Sequence, residues 1–326
     1  MYPRVLRARD ITNQIEHVRR TRHAANAKKG DTRPMSTSPQ NQPSSGTYFV
    51  HDQQNEEELH RLVGQDRFVT ASMGGVLSEQ ADPSAFRRVL DIACGSGGWV
   101  IEAAQMYPEI SLVGIDLNQR MLAYAREQAA AQQVNDRVAF RVMDALGVLG
   151  FPDASFDLVN LRFAISFVRT WEWPRLLREM LRVLRPGGVI RLTDEEVVHR
   201  STSRGAMQFC EMLLCALFRS GHLFTQDSSG LTAHLAPLLG QAGCQDVQIR
   251  NYALQFRAGT PEGLAYAKDG EYLLRTFRPF LQKWGCMSKE YEDRQTLAEI
   301  RHPDFSATWH LLTAWGTKPK PEAPQP

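Results

Sequence analysis

At 326 residues and a formal net charge of +2, the chain has room for one large domain, or one domain with an excursion, and no charge bias toward a particular partner. Hydrophobic content of 43% with 23% charged residues is ordinary for a folded globular chain. Five cysteines without a CxxC pair argue against a disulfide framework and a zinc site and for a reducing cytoplasm, and no apolar run reaches the ~18–20 residues of a membrane-spanning helix.

Residues 1–47 read as a disordered extension. The first part carries Arg4, Arg7, Arg9, Arg19, Arg20 and Arg22; the second is rich in Ser, Pro, Gln and Asn. Such composition buries too little surface to offset the entropy of ordering. Three readings stay open: a basic arm for nucleic acid, an Arg-rich targeting peptide opposed by Asp10, Glu16 and Asp31, or an upstream extension ahead of Met35. Positions 55–73 predict a helix, with Leu59, Leu62, Val63, Phe68 and Val69 at near-helical spacing and Glu56, Glu57 and Glu58 in the first turn. This helix is expected to cover a ligand cleft. Tyr48 and Phe49 add either an aromatic face or ordinary packing.

The next stretch organises the chain. An apolar strand over 89–93 meets the turn Gly95-Ser96-Gly97-Gly98, then a helix over 99–106 that Pro108 stops, then a strand over 112–115 ending on Asp116. Strand, glycine turn, helix, strand and acid make the opening of a nucleotide-binding βαβ unit, the acid falling about 20 residues past the turn. Val100 occupies the third small position of a dinucleotide fingerprint, which leaves less room for a pyrophosphate. A structural turn without a ligand is the bland alternative. Asn118 caps a helix over 121–131; a strand over 137–142 leads into Met143-Asp144. A fourth strand spans 156–161 and a helix follows over 173–184, its stripe made by Leu176, Leu177, Met180, Leu181 and Leu184. Arg185-Pro186-Gly187-Gly188 ends that helix before a fifth strand over 189–193. A helix over 204–218 is apolar almost all round. Beyond it come a helix at 231–239, a strand at 247–256, a helical insertion over 262–300, a last strand at 308–315 and a Pro-rich tail.

Three segments carry a resemblance. They are Asp91-Ile92-Ala93-Cys94-Gly95-Ser96-Gly97, Phe156-Asp157-Leu158-Val159, and Leu184-Arg185-Pro186-Gly187-Gly188. In this order and spacing they resemble the motifs of class I S-adenosylmethionine (SAM)-dependent methyltransferases of the small-molecule type. The resemblance implies a Rossmann-like, doubly wound α/β sheet of seven strands, the last antiparallel, with helical insertions. It implies a domain over 48–316 with its core at 85–195, lid elements at about 200–225 and 260–302, and a disordered tail over 317–326. The cofactor implied is SAM. Its amino-acid end would meet Asp91, Ala93, Gly95, Ser96 and Gly97. Its ribose would meet Asp116, with Leu117 and Met121 beside it, and its adenine Asp144 and Ala145. Asn160 would join them from the end of the fourth strand. Asp144 also reads as a plain turn cap.

The chemistry implied is an in-line displacement at a sulfonium methyl. Holding two reactants in attack geometry contributes ~7–11 kcal/mol, so no dedicated catalytic residue is obligatory. Where a base is used, Asp194, Glu195 and His199 lie in the right region; each also reads as a solvated or packing residue. Asn160-Leu161-Arg162-Phe163 lacks the paired prolines of enzymes that methylate nucleobase amino groups, and no metal set is evident. The expected acceptor is therefore a small or lipophilic molecule — quinone, phenol, polyketide, sterol-like or fatty — methylated on O, C or N, and nucleic acid is disfavoured. An RNA or ribosome methyltransferase using the basic arm, and an inactive SAM-binding regulator, are the alternatives. The segments 204–218 and 262–300 serve equally as lid, as core or as a homodimer interface.

Overall fold

The computed structural model describes residues 56–321; the extension at 1–47 with Met35, the pair Tyr48 and Phe49, and residues 322–326 lie outside the described residues. Strand β1 (Arg88–Ile92) sits at the centre of the sheet. It pairs in parallel with β2 (Ser111–Asp116) on one side and β4 (Phe156–Arg162) on the other. Beyond β2 lies β3 (Val138–Val142); beyond β4 lies β5 (Leu184–Glu195). The antiparallel β8 (Ser306–Thr317) follows β5, and β7 (Gln245–Arg257) pairs with its far edge. The eighth strand, one more than the seven expected, is the two-residue β6 (Arg200–Ser201), which pairs with β8.

Alternation along the central strands sorts the core onto two faces. Leu90, Ile92, Val159, Leu161, Ile190 and Leu192 face the cluster that packs under helices α4 (Trp173–Val183), α5 (Arg204–Arg219) and α6 (Thr232–Gln241). Val89, Leu112 and Leu158 face α2 (Gly98–Met106) and α3 (Gln119–Ala131). A third cluster joins α1 (Glu56–Ser72) to β7 and β8 through Val69, Met73, Leu254 and Trp309. Asn118 caps α3, its side chain accepting from the N–H of Arg120 and Met121. The long insertion divides into α7 (Pro261–Lys283) and α8 (Asp293–Ile300). No helix among the described residues is long and apolar enough to cross a membrane.

Three expectations are corrected. Cys215 of α5 and Cys286, just past α7, form a disulfide across a separation of 71 residues. Local spacing carries no sign of such a bond, because only tertiary packing brings the partners together. The tail begins later than 317. Thr317 pairs with Val189 and Gln245, and the Lys318 ammonium donates to the carbonyls of Leu181 (2.7 Å) and Leu184 (2.8 Å). Strand β5 starts at Leu184 rather than past the glycines, with a bulge opposite Phe156 and Leu158.

One charged pair is built into this fold. Arg191, 1% exposed, donates from Nε to Glu79 Oε1 at 2.6 Å and from Nη2 to Oε2 at 3.3 Å. Burial pushes the Glu79 carboxyl up, but the charge and hydrogen bonds of Arg191 outweigh it and hold the group below its usual range. Removing one partner strands the other charge away from water. Glu79→Gln is expected to destabilise the protein by about 3–5 kcal/mol in urea denaturation, with an unchanged m value.

Candidate active site

Strand order reverses between β1 and β4, so their carboxyl ends diverge and leave a crevice. A cavity of ≈ 240 Å³ fills it, bordered by the ends of β1 and β2, the segment after β3 and the end of β4. The turn after β1 forms its floor. Gly95 holds φ +54, and a Cβ there would meet nothing within 4 Å: it would project into open space. Gly97 serves packing instead, since a Cβ on it would come within 2.7 Å of the Phe140 ring and 2.8 Å of Ala125.

Asp116 and Asp144 border this one cavity. Asp116 Oδ2 accepts from the Gly95 N–H at 2.9 Å and Oδ1 from the Asn118 N–H at 2.8 Å. Each carboxylate oxygen retains a lone pair for a ligand hydroxyl. Burial pushes the Asp116 carboxyl up, and those N–H groups draw it partly back. Asp144 Oδ1 accepts from the Leu146 N–H at 2.9 Å, so it caps its turn and borders the cavity at once.

Of the cofactor residues read from the sequence, Gly97 and Asn160 alone do not line the cavity. Asn160 is 0% exposed and lies behind Asp91, to which its Nδ2 donates at 2.7 Å. Burial pushes the Asp91 carboxyl up to about 7, against the charge of Arg162 and the hydrogen bond from Asn160.

Helix α1 covers the crevice through Glu58, Leu62, Gln65 and Asp66. It is tied down twice. Asp66 pairs with Arg162 at the end of β4, which also donates to Thr70 Oγ1 at 3.2 Å. Arg61 pairs with Asp269 of α7 at 3.0 Å.

A second cavity, of ≈ 700 Å³, adjoins the first, and Leu62, Gln65, Phe163 and Ser166 line both. Its walls come from α1, α5, α7, α8 and the strands β7 and β8, with Phe68, Phe163, Phe209, Phe256, Phe277 and Trp309 supplying rings. Glu195, His199 and Tyr266 bring polar atoms to it. Burial, then the neighbouring Asp194 charge, pushes the Glu195 carboxyl up to about 8. The Trp309 indole lies close enough to draw that carboxyl back somewhat, yet its N–H finds no partner in strict hydrogen-bond geometry. Burial, aided by His310, pushes His199 down to about 4, so its ring is neutral; Nδ1 lies 3.0 Å from the Tyr266 hydroxyl.

Asp194 does not reach either cavity. Its Oδ2 accepts from the Ile165 N–H at 3.1 Å and its Oδ1 from the Glu195 N–H at 3.0 Å, which fixes the short 3-10 turn Ala164–Ser166. Sequence reasoning missed Asp66, Arg162 and Tyr266. Tyr266 had no local signal, lying 67 residues from His199. Among the described residues no cluster of three His, Cys, Asp or Glu side chains is placed to hold a metal ion.

Comparison with known proteins gives the following. A family model described as a methyltransferase domain matches residues 89–188. A demethylmenaquinone methyltransferase of Deinococcus radiodurans is 43% identical over 108 residues, covering 33% of this chain and 43% of that protein. Another, of Lactiplantibacillus plantarum, is 31% identical over 177 residues, covering 50% of this chain and 73% of that protein. The chain spans about two fifths of the length of the Deinococcus protein and of two further curated relatives, 43%, 39% and 44%. Among solved structures, a Haemonchus contortus phosphoethanolamine N-methyltransferase 2 in complex with SAM has a TM-score of 0.52 at 20% identity, over 85% of this chain and 61% of that one; this is a likeness of fold.

The buried groups set a pH dependence with a definite sign. Glu195 keeps its proton longer in the folded chain, so the stability it contributes is complete below about 4.5 and is lost as pH rises through about 8. Asp91 and Asp194, both raised to about 7, act in the same sense. His199 and His222, both lowered to about 4 from 6.5, act oppositely, and only below 6.5. From pH 6.5 to 8 the carboxyls therefore dominate. Stability is expected to fall across that window, and Glu195→Gln to flatten the fall by up to about 1.4 kcal/mol per pH unit. Urea denaturation at pH 6.5 and 8 measures it; parallel slopes for both proteins would refute the assignment.

Proposed function

The chain belongs to the class I SAM-dependent methyltransferases, and from that premise we propose that it moves the methyl group of SAM onto a small lipophilic acceptor held in the larger cavity. The observation that carries the reading is the shared border: Leu62, Gln65, Phe163 and Ser166 line both cavities, so two ligands can meet there. SAM, when bound, supplies an electrophilic methyl on a positively charged sulfur.

The smaller cavity suits that ligand. Gly95 leaves a cradle that any Cβ would fill. Asp116 would accept the ribose hydroxyls, and Asp144 with the Ala145 N–H would meet the adenine edge. Asp91 would face the amino-acid end. Helices α1, α5, α7 and α8 line the larger cavity, and water displaced from the junction by bound ligands would strengthen the electrostatic contacts inside it. This supports reading the segments 200–225 and 260–302 as a lid, since α5, α7 and α8 turn side chains into the acceptor cavity.

Eight aromatic rings, a neutral imidazole and a protonated carboxyl favour an uncharged acceptor such as a phenol, quinol or polyketide. The demethylmenaquinone methyltransferases above act, by their names, on a quinone. Glu195 and His199 are the groups we place near the acceptor's proton; Asp194 acts one step back, by fixing the turn that carries Ser166. The proposal includes a cytoplasmic site of action and no part for nucleic acid; the mainly apolar lining of the larger cavity supports the latter.

Labelled SAM incubated with the purified chain and a panel of lipophilic phenols, quinols and polyketides tests this. Label is expected in an organic-soluble product. SAM binding without transfer to any acceptor would favour the regulator, and transfer to RNA the nucleic-acid enzyme. Asp116→Ala is expected to weaken SAM binding by ~1–3 kcal/mol in calorimetry, the scale for hydrogen bonds to a charged group. An unchanged affinity would remove the ribose role. Gly95→Val is expected to abolish SAM binding in a folded protein, and retained affinity would refute the cradle.

A further inference from the structure

Beneath the smaller cavity a line of polar side chains crosses three central strands. Asp91 of β1 is in register with Asn160 of β4, and Asn160 with Arg191 of β5. Side chains at paired positions share one face of the sheet. This is the face turned to α2, where Val89 and Leu158 pack as core. Asn160 Nδ2 donates to Asp91 Oδ1 at 2.7 Å, and Arg191 Nη1 donates to Asn160 Oδ1 at 2.8 Å. Arg191 closes the line on Glu79, and the Asp91, Asn160 and Arg191 residues are 3%, 0% and 1% exposed. Of these four, Asp91 alone borders either of the two cavities described above.

We propose that Asn160, Arg191 and Glu79 form a positioning relay that holds Asp91 as the anchor for the cofactor's α-ammonium group, so that the amino-acid end binds with release of a proton. The inference rests on the cofactor reading above. Charge balance carries it. Arg191 is matched by Glu79 and Arg162 by Asp66. Asp91 has no cation of its own among these pairs. Burial outweighs the charges of Arg162 and Arg191, which favour its ionisation, and Asp66 opposes it. Without a ligand, burial favours a proton on Asp91. A cationic amine arriving in the cavity takes the proton's place.

The relay makes that exchange accessible near neutral pH. An amide whose oxygen binds a guanidinium is polarised toward a stronger N–H donor, and it presents that N–H to the carboxylate. It also fixes the orientation of Asp91, because Arg191 is itself fixed by its contacts with Glu79. A buried network of this kind weakens a core unless every member is satisfied, and here its one outlet is the cofactor's amino-acid end.

S-adenosylhomocysteine, which keeps the amino acid, and 5′-methylthioadenosine, which lacks it, separate this role from a structural one. Calorimetry on the full chain between pH 6 and 8.5, in buffers of different ionisation enthalpy, counts the protons. For the wild type, S-adenosylhomocysteine is expected to release about one proton near neutral pH and to bind roughly tenfold more weakly per pH unit below it, with methylthioadenosine flat. Asn160→Ala is expected to weaken S-adenosylhomocysteine roughly tenfold or more, to move its pH midpoint upward, and to leave methylthioadenosine unchanged. Asn160→Asp keeps an acceptor for Arg191 but sets an acid against Asp91; it should steepen the pH dependence, and it serves if the alanine variant does not fold. Equal losses for both ligands, or wild-type binding without proton exchange, would overturn the relay and leave the cofactor reading standing. If neither ligand binds the wild type, both fall.

Discussion

Reversal of strand order between β1 and β4 is the constraint from which the site follows. Parallel strands on one side of the switch are crossed by α2 and α3, and those on the other by α4 and its successors. The connections leave in opposite directions, so the carboxyl edge stays open at that point. The turn at 93–98, both strand-end acids and the polar line from Asp91 to Glu79 all converge there. A sheet wound in one direction would have covered the same residues with a helix.

The two cavities handle charge in opposite ways. The smaller is bordered by carboxylates whose neighbours are backbone N–H groups, an amide and one arginine, an environment suited to a cationic ligand. In the larger, burial keeps Glu195 protonated and His199 neutral, while the charges of Arg61 and Asp269 are paired with each other. Under the proposed function, a cationic donor and a neutral acceptor would lie on either side of a border lined by four shared residues. Water excluded from the second cavity would strengthen electrostatics across that border.

Helix α1 links the two compartments mechanically. Asp66 holds it over the cofactor crevice through Arg162, while Arg61 holds it to α7 over the acceptor cavity. Both ties involve side chains that border a cavity, so a ligand in either place bears on the same cover. The disulfide between Cys215 and Cys286 fastens α5 to the segment beyond α7. Of the helices that line the larger cavity, α5 is thus joined covalently to the segment just past α7, and α1 is joined to α7 by an ion pair.

Much of this was legible in the chain itself. Period-2 apolar runs, a glycine turn and acids at strand ends are local signals, and they located β1 to β5, the turn at 95–98, Asp116 and Asp144. Helix α1 and the apolar α5 were readable for the same reason. Single-residue parity was not. Asn160 falls behind the cleft rather than in it, and adjacent Asp194 and Glu195 part company, one to a turn and one to a cavity. Nor could spacing pair Cys215 with Cys286, His199 with Tyr266, or Arg191 with Glu79, since each contact closes a long loop. Sequence periodicity determines which face of its own element a side chain occupies; register and packing between distant elements decide what that face meets, and it was there that the larger cavity and the buried polar line from Asp91 to Glu79 were decided.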